Sequence, residues 1–184
     1  VKSAMYVSGF TGAGMQMVLI MVMQSFYGFA YLMAPLMITI FMGGIVLGTM
    51  RWARQRNKKS IPGLSILIAF MALVSMISLL VLKLNSPFQS GLPGQMILGL
   101  LNLLTGMVVG AVFSLAVNLH MKSKPFSPGI LFSADLTGAA LGTLLPVVFL
   151  LPLIGVMNTF ILFGIINAIT AFRLILNGSK GRNG

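Results

Sequence analysis

The chain has 184 residues, 58% hydrophobic and 7% charged, with a mean hydropathy of +1.03. A soluble domain carries about a quarter charged residues, so this composition excludes a disordered tail and argues against a soluble globular enzyme. With 12 Lys and Arg, one acid (Asp135), one His and no Cys, two-carboxylate catalysis, thiolate chemistry, disulfides and zinc or iron–sulfur cages lack their parts.

The formal charge of +11 sits in short gaps between long apolar runs. That is the pattern of orientation signals in a membrane protein, and it argues against a nucleic-acid surface. Backbone groups in hydrocarbon must bond internally, so a spanning segment is a helix or part of a closed barrel. A helix needs about 20 apolar residues, and the continuous runs favour helices. Six are expected, over residues 5–26, 31–50, 61–82, 96–119, 129–151 and 155–176. The chain is thus read as one all-α polytopic membrane bundle over residues 1–184.

In chain order, Gly28 and Pro35 mark a tight first turn. Ser60 is placed to cap the third helix, with Pro62 in its first turn. Residues 85–94 form the longest polar, turn-rich loop, and Ser127-Pro128 reads as an N-cap with proline at the first helical position. Pro146 should kink the fifth helix and Pro152 should close it. The sequence opens Val-Lys-Ser without an initiator Met, as in a processed chain or the tail of a longer one. The first helix lacks a clean small-x-small cleavage site, so it reads as a span and not a signal peptide.

Charge then orients the bundle. Lys2, the Arg51, Arg54, Arg56, Lys58, Lys59 cluster, Lys122, Lys124, Arg173, Lys180 and Arg182 fall on one side of a six-helix arrangement, and Lys83 on the other. By the positive-inside rule both termini are cytoplasmic, which suits a multi-pass protein of a bacterial inner membrane. The basic cluster suits anionic phospholipid headgroups or an acidic face on a partner.

Gly44-Ile45-Val46-Leu47-Gly48-Thr49 and Gly138-Ala139-Ala140-Leu141-Gly142-Thr143 share the pattern G-x-x-L-G-T. Each lies in the middle helix of a three-helix set. Three is odd, so the sets would enter the membrane from opposite faces, as in a 3+3 inverted repeat. Small-xxx-small packing alone explains the same glycines. On either reading Gly44/Gly48, Gly106/Gly110 and Gly138/Gly142 admit close helix approach, which puts the second, fourth and fifth helices in the tight core.

Several tracts resemble a known family. They are Gly14 to Leu19 continuing through Gln24 to Tyr31, Phe41 to Gly48, Gly106 to Phe113, Ser133-Ala134-Asp135-Leu136-Thr137-Gly138-Ala139-Ala140-Leu141-Gly142, and Leu151 to Gly155. Together they resemble the carboxyl-terminal membrane region of bacterial fused spermidine synthase-like, major-facilitator-like proteins, over nearly the whole chain. The resemblance implies a membrane module without synthase activity, since no aminopropyltransferase domain is present. Gln16 stands where the family usually has a glutamate, and Phe113-Ser114 where it often has Phe-Pro.

Asp135 is the outstanding chemical group. An ionisable side chain within a span is costly and a functional candidate by default. It reads as a packing or gating hub, or as a coupling carboxylate for a proton or cation. Arg51, Arg54, Lys122, Lys124 and His120 are its candidate partners. Gln16, Gln24 and Asn102 are expected to line one polar cavity with Asp135 or, like Asn118, Asn158 and Asn167, to bind helices together. His120 reads as an interfacial residue and the 15 Met as packing. Trp52, Tyr6, Tyr27 and Tyr31 are placed as interface anchors.

The expected function is a non-catalytic integral subunit with a transporter-like fold, completing a larger membrane complex such as a respiratory or electron-transfer one. The alternatives are half of a secondary transporter with Asp135 in coupling or gating, and a quinone- or lipid-binding subunit. No catalytic constellation or metal site is expected, and a homo-oligomer is the alternative to foreign partners.

Overall fold

The computed structural model describes residues 2–28, 30–53, 61–84, 91–123 and 128–180. Among them the chain is helical and contains no strand. The elements are α1 (Lys2–Tyr27), α2 (Ala30–Ala53), α3 (Ile61–Leu84), α4 (Leu92–Ser123), α5 (Pro128–Leu145), a π-helical turn (Pro146–Leu150) and α6 (Leu151–Lys180). Five stretches are long and apolar enough to cross a membrane: Lys2–Tyr27, Tyr31–Ala53, Pro62–Leu84, Leu92–His120 and Gly129–Leu176. The protein is therefore a helical membrane protein.

Hydrocarbon explains helices that propensity would not. The first half of α1 carries Ser3, Ser8, Gly9, Thr11, Gly12 and Gly14, residues that weaken a helix in water. In lipid the alternative is an unbonded backbone, which costs far more. The helix ends where Gly28 takes φ 70° and its N–H donates to the Gln24 carbonyl at 3.0 Å, a left-handed helix stop.

Several prolines fall elsewhere than the sequence suggested. Pro35 lies inside α2 and does not mark the turn before it. Leu92, Pro93 and Gly94, expected in the loop, form the first turn of α4, where a proline's missing N–H costs nothing. Pro146 does perturb its helix, opening the π turn in which the Leu151 N–H donates to the Pro146 carbonyl. Pro152 does not close the helix. The break falls at Gly155, with φ 78° and ψ 170°, a region open essentially to glycine alone. Ser60 and Ser127 lie outside the described residues.

α2 packs chiefly on α4, α1 on α5 and α3 on α6, while α1 also meets α4 and α6. Among the described residues α2 and α3 do not pack on each other. A side-chain carbon at Gly44 would meet the Leu103 carbonyl, at Gly48 that of Met107, at Gly106 that of Phe41 and at Gly110 that of Ile45. On the other pair, Gly138 abuts the Tyr6 carbonyl, Gly142 that of Phe10 and Gly9 that of Asp135. In both pairs the contacts advance together along the two chains, so the paired helices run parallel.

At Gly14 an added carbon would lie 2.6 Å from the Phe163 ring and 3.0 Å from the Gly142 carbonyl oxygen. Gly142 and Phe163 thus meet at one point of α1. An unbroken helix would hold them about 30 Å apart, so the helical path doubles back between them.

The centre is α1 and α4, which are mostly buried, whereas α2 is mostly exposed and the stretch from Gly129 to Leu176 buries only a minority of its residues. Met5, Met15, Leu19, Val112, Phe160 and Phe163 are among the fully buried core residues, to which α2 adds Met37, α3 Leu64 and α5 Leu131. The expectation of a core made by the second, fourth and fifth helices holds only for the fourth. Glycine allows close approach on one face of α2 and α5, but their other faces carry Leu36, Val46, Leu136 and Leu144 outward.

Candidate functional site

The polar groups of the interior are mostly consumed locally. Thr105, Ser78, Thr159 and Thr170 each donate to the carbonyl four residues earlier on their own helix, which satisfies a hydroxyl in hydrocarbon without a partner helix. A smaller set joins helices. Ser75 of α3 donates to the Phe160 carbonyl of α6 at 2.6 Å. Thr11 of α1 approaches Asn167 Oδ1 of α6 at 3.3 Å while donating to the Val7 carbonyl at 2.8 Å. Thr49 bridges the Ile45 carbonyl and, at 3.4 Å, that of Gly110 on α4. The Asn102 amide nitrogen donates to the Met37 carbonyl of α2, and among the described residues its own buried oxygen has no partner, nor does the Ser8 hydroxyl.

Asp135 is half-buried two turns into α5, at the seam with α1. Its carboxylate lies 2.9 Å from the position a side-chain carbon would take on Gly9, whose lack of one lets the acid fit. Gln16 is buried and Gln24 half-buried on α1. Gln16 stands about 10 Å along α1 from Gly9, and Gln24 about 22 Å. Asn102, seven residues along α4 from the Val109 that touches the Gly12 position, reaches roughly the depth of Gln16. The four polar groups are thus spread through the depth of the bundle, with Gln16 and Asn102 at mid-depth and Asp135 and Gln24 toward opposite ends.

Two clefts among the described residues are lined by other side chains. One, of about 370 Å³, lies between α2, α3 and α4 and is lined by Gly48, Phe70, Met107 and Ala111 among others, with Arg51 and Trp52 at one end. The second, of about 470 Å³, lies between α1, α2 and α4 and includes Met23, Met33, Gln95 and Gly99. Both volumes are in the range of ligand pockets, about 300–1,000 Å³. Composition did not announce either cleft. The one sequence signal was Arg51-Trp52, a cation next to the sole tryptophan at a helix end.

Of the basic cluster, Arg51 is exposed on the last turn of α2, while Arg54, Arg56, Lys58 and Lys59 lie outside the described residues, as do Lys124 and Arg182. His120 is half-buried near the end of α4, and Tyr31 is almost wholly exposed at the start of α2. The six paired glycines all lie at helix seams. No family model, curated protein or solved structure matches the chain.

Proposed function

We propose that the chain is a six-crossing, inverted-repeat membrane module with a transporter-like fold, serving as a non-catalytic subunit that completes a larger membrane assembly. The observation that carries this reading is the matched meshing of the two parallel helix pairs. The Gly44 and Gly48 contacts on Leu103 and Met107 recur as Gly138 and Gly142 on Tyr6 and Phe10. Gly106 on Phe41 likewise recurs as Gly9 on Asp135. One shift relates α2 to α5 and another relates α4 to α1 throughout, as a 3+3 repeat requires. The doubling back near Gly155 supports two crossings in the last stretch.

The resemblance to the membrane region of fused spermidine synthase-like, major-facilitator-like proteins points the same way. So does the placing of positive charge, which favours cytoplasmic termini in a bacterial inner membrane. A subunit is favoured over a carrier by the closed centre, where Met15, Leu19 and Val112 are fully buried and polar groups are scattered in depth. The test is purification from the native membrane in mild detergent, with mass spectrometry and an absorption spectrum on the same peak. Stoichiometric membrane partners are expected; a lone monomer or homodimer would overturn the subunit reading.

The second reading is a transporter half in which Asp135 couples or gates, and the carboxylate at the α1–α5 seam favours it. Asp135→Asn should then abolish proton-coupled uptake while leaving the fold intact. Undiminished uptake by a folded variant would remove this reading.

A further inference from the structure

We infer that the cleft between α2, α3 and α4 binds an anionic phospholipid, one acyl chain lying in the cleft and the phosphate meeting Arg51. The inference requires the chain to sit in a bilayer and holds whether it acts as a subunit or a carrier.

The cleft's form follows from the packing. α4 is its floor, and α2 and α3 are its walls, which do not pack on each other. It therefore opens sideways into lipid, and a chain enters without passing through water. Its length runs from Ala111 to Leu104 on α4, about 10 Å along the helix. Gly48 meshes with Met107, so α2 and α4 advance together and Ala111 stands level with Arg51 and Trp52. The wet end of the cleft is thus the end with the cation. Among the described residues, Arg51 is the one charged side chain lining it, and all other lining side chains except the Trp52 indole are apolar or absent. A neutral hydrophobe would gain nothing from Arg51, whereas a phosphate not already paired with an ammonium in its own headgroup gains most.

The other half of the molecule shows what happens where no lipid is needed. By the meshing contacts, Met107 corresponds to Phe10, so Ala111 corresponds to Gly14. At Gly14 the site is filled from within: Phe163 inserts against it and packs edge-on to Phe10, with ring centroids 6.0 Å apart at 83°. Phe163 is wholly buried. Among the described residues the α2–α4 side has no such plug and keeps an open volume of about 370 Å³.

Trp52 is the only tryptophan, so its fluorescence reports this cleft without labelling. The full chain is reconstituted into phosphatidylcholine vesicles carrying a minor fraction of brominated-chain phosphatidylglycerol or, in parallel, brominated-chain phosphatidylethanolamine. Phosphatidylglycerol should quench Trp52 at lower mole fraction, and Arg51→Gln should reduce that preference by about fivefold, the effect of one cation near a membrane surface. Arg51→Lys should keep most of it, and Lys83→Gln, far from the cleft, should keep all of it. Equal quenching by the two lipids, or a preference that survives Arg51→Gln, overturns the proposal. Either result would still register membrane embedding through the quenching itself. Displacement of the quenching lipid by a neutral quinone, equally in wild type and Arg51→Gln, overturns it as well.

Discussion

A glycine in this molecule is judged by what faces it. Gly142 lies on the Phe10 carbonyl, whereas Gly43, one residue before Gly44, faces open space. Gly142→Leu should therefore force α1 and α5 apart and cost about 1–3 kcal/mol or more, seen as a lowered unfolding midpoint in detergent. Gly43→Ala should instead stabilise by about 0.4–1 kcal/mol, by removing backbone freedom from the unfolded chain. The Thr11 hydroxyl has one proton and gives it to the nearer Val7 carbonyl, so the link to Asn167 is weak. Thr11→Val should cost about 0.6 kcal/mol or less, the average for polar contacts between membrane helices, in the same assay. The glycine seams were legible in the sequence because i, i+4 spacing marks one helix face. Their partners were not, since nothing in the spacing of Gly44 and Gly48 names Met107. The role of Gly14 was missed for the same reason: it carries meaning only beside Phe163.

At the scale of elements, the helical, apolar character of the chain was legible because long apolar runs have few ways to fold in lipid, whereas the expected fifth and sixth spans fall within one apolar stretch, Gly129–Leu176. Loop chemistry was less legible. Pro35 looks like a breaker by the habits of water-exposed chains, yet it sits within a helix, where lipid penalises leaving the helix more than it penalises one lost bond. The break at Gly155 falls at the start expected for the sixth helix, three residues beyond the Pro152 that was expected to cause it. Gly155→Ala would hold an L side chain at φ 78° and ψ 170° and should destabilise the protein by about 1–3 kcal/mol. A thermal unfolding series of Gly155→Ala against Gly43→Ala checks it, the two moving in opposite directions.

For the whole molecule, the number of crossings is the quantity to measure. The absence of cysteine makes single-cysteine labelling clean. In a six-crossing arrangement Lys2→Cys and Ala53→Cys should react with an impermeant maleimide from one side. Gly91→Cys and Leu153→Cys should react from the other. If the stretch from Gly129 to Leu176 crossed only once, Leu153, now highly exposed, would lie in mid-bilayer and stay unlabelled. Charge supplies an orientation for that labelling to test, whereas the spread of Asp135, Gln16, Gln24 and Asn102 through the depth was not legible, because a list of polar residues carries no depth until helix registers are known.

The pairing of α1 with α5, α2 with α4 and α3 with α6 also governs how the molecule is made. Every helix of the first three finds its chief partner among the last three, so the two halves are interlaced and neither owns a core. As the chain emerges from a translocon, α1 to α3 must wait in the membrane, loosely held, until α4 to α6 arrive, since contacts between distant segments form late. A fragment ending at Leu84 should be short-lived alone, yet two fragments meeting in the 85–90 segment should rescue each other when co-expressed. Pulse-chase lifetimes of the first fragment, with and without the second, would measure that mutual dependence.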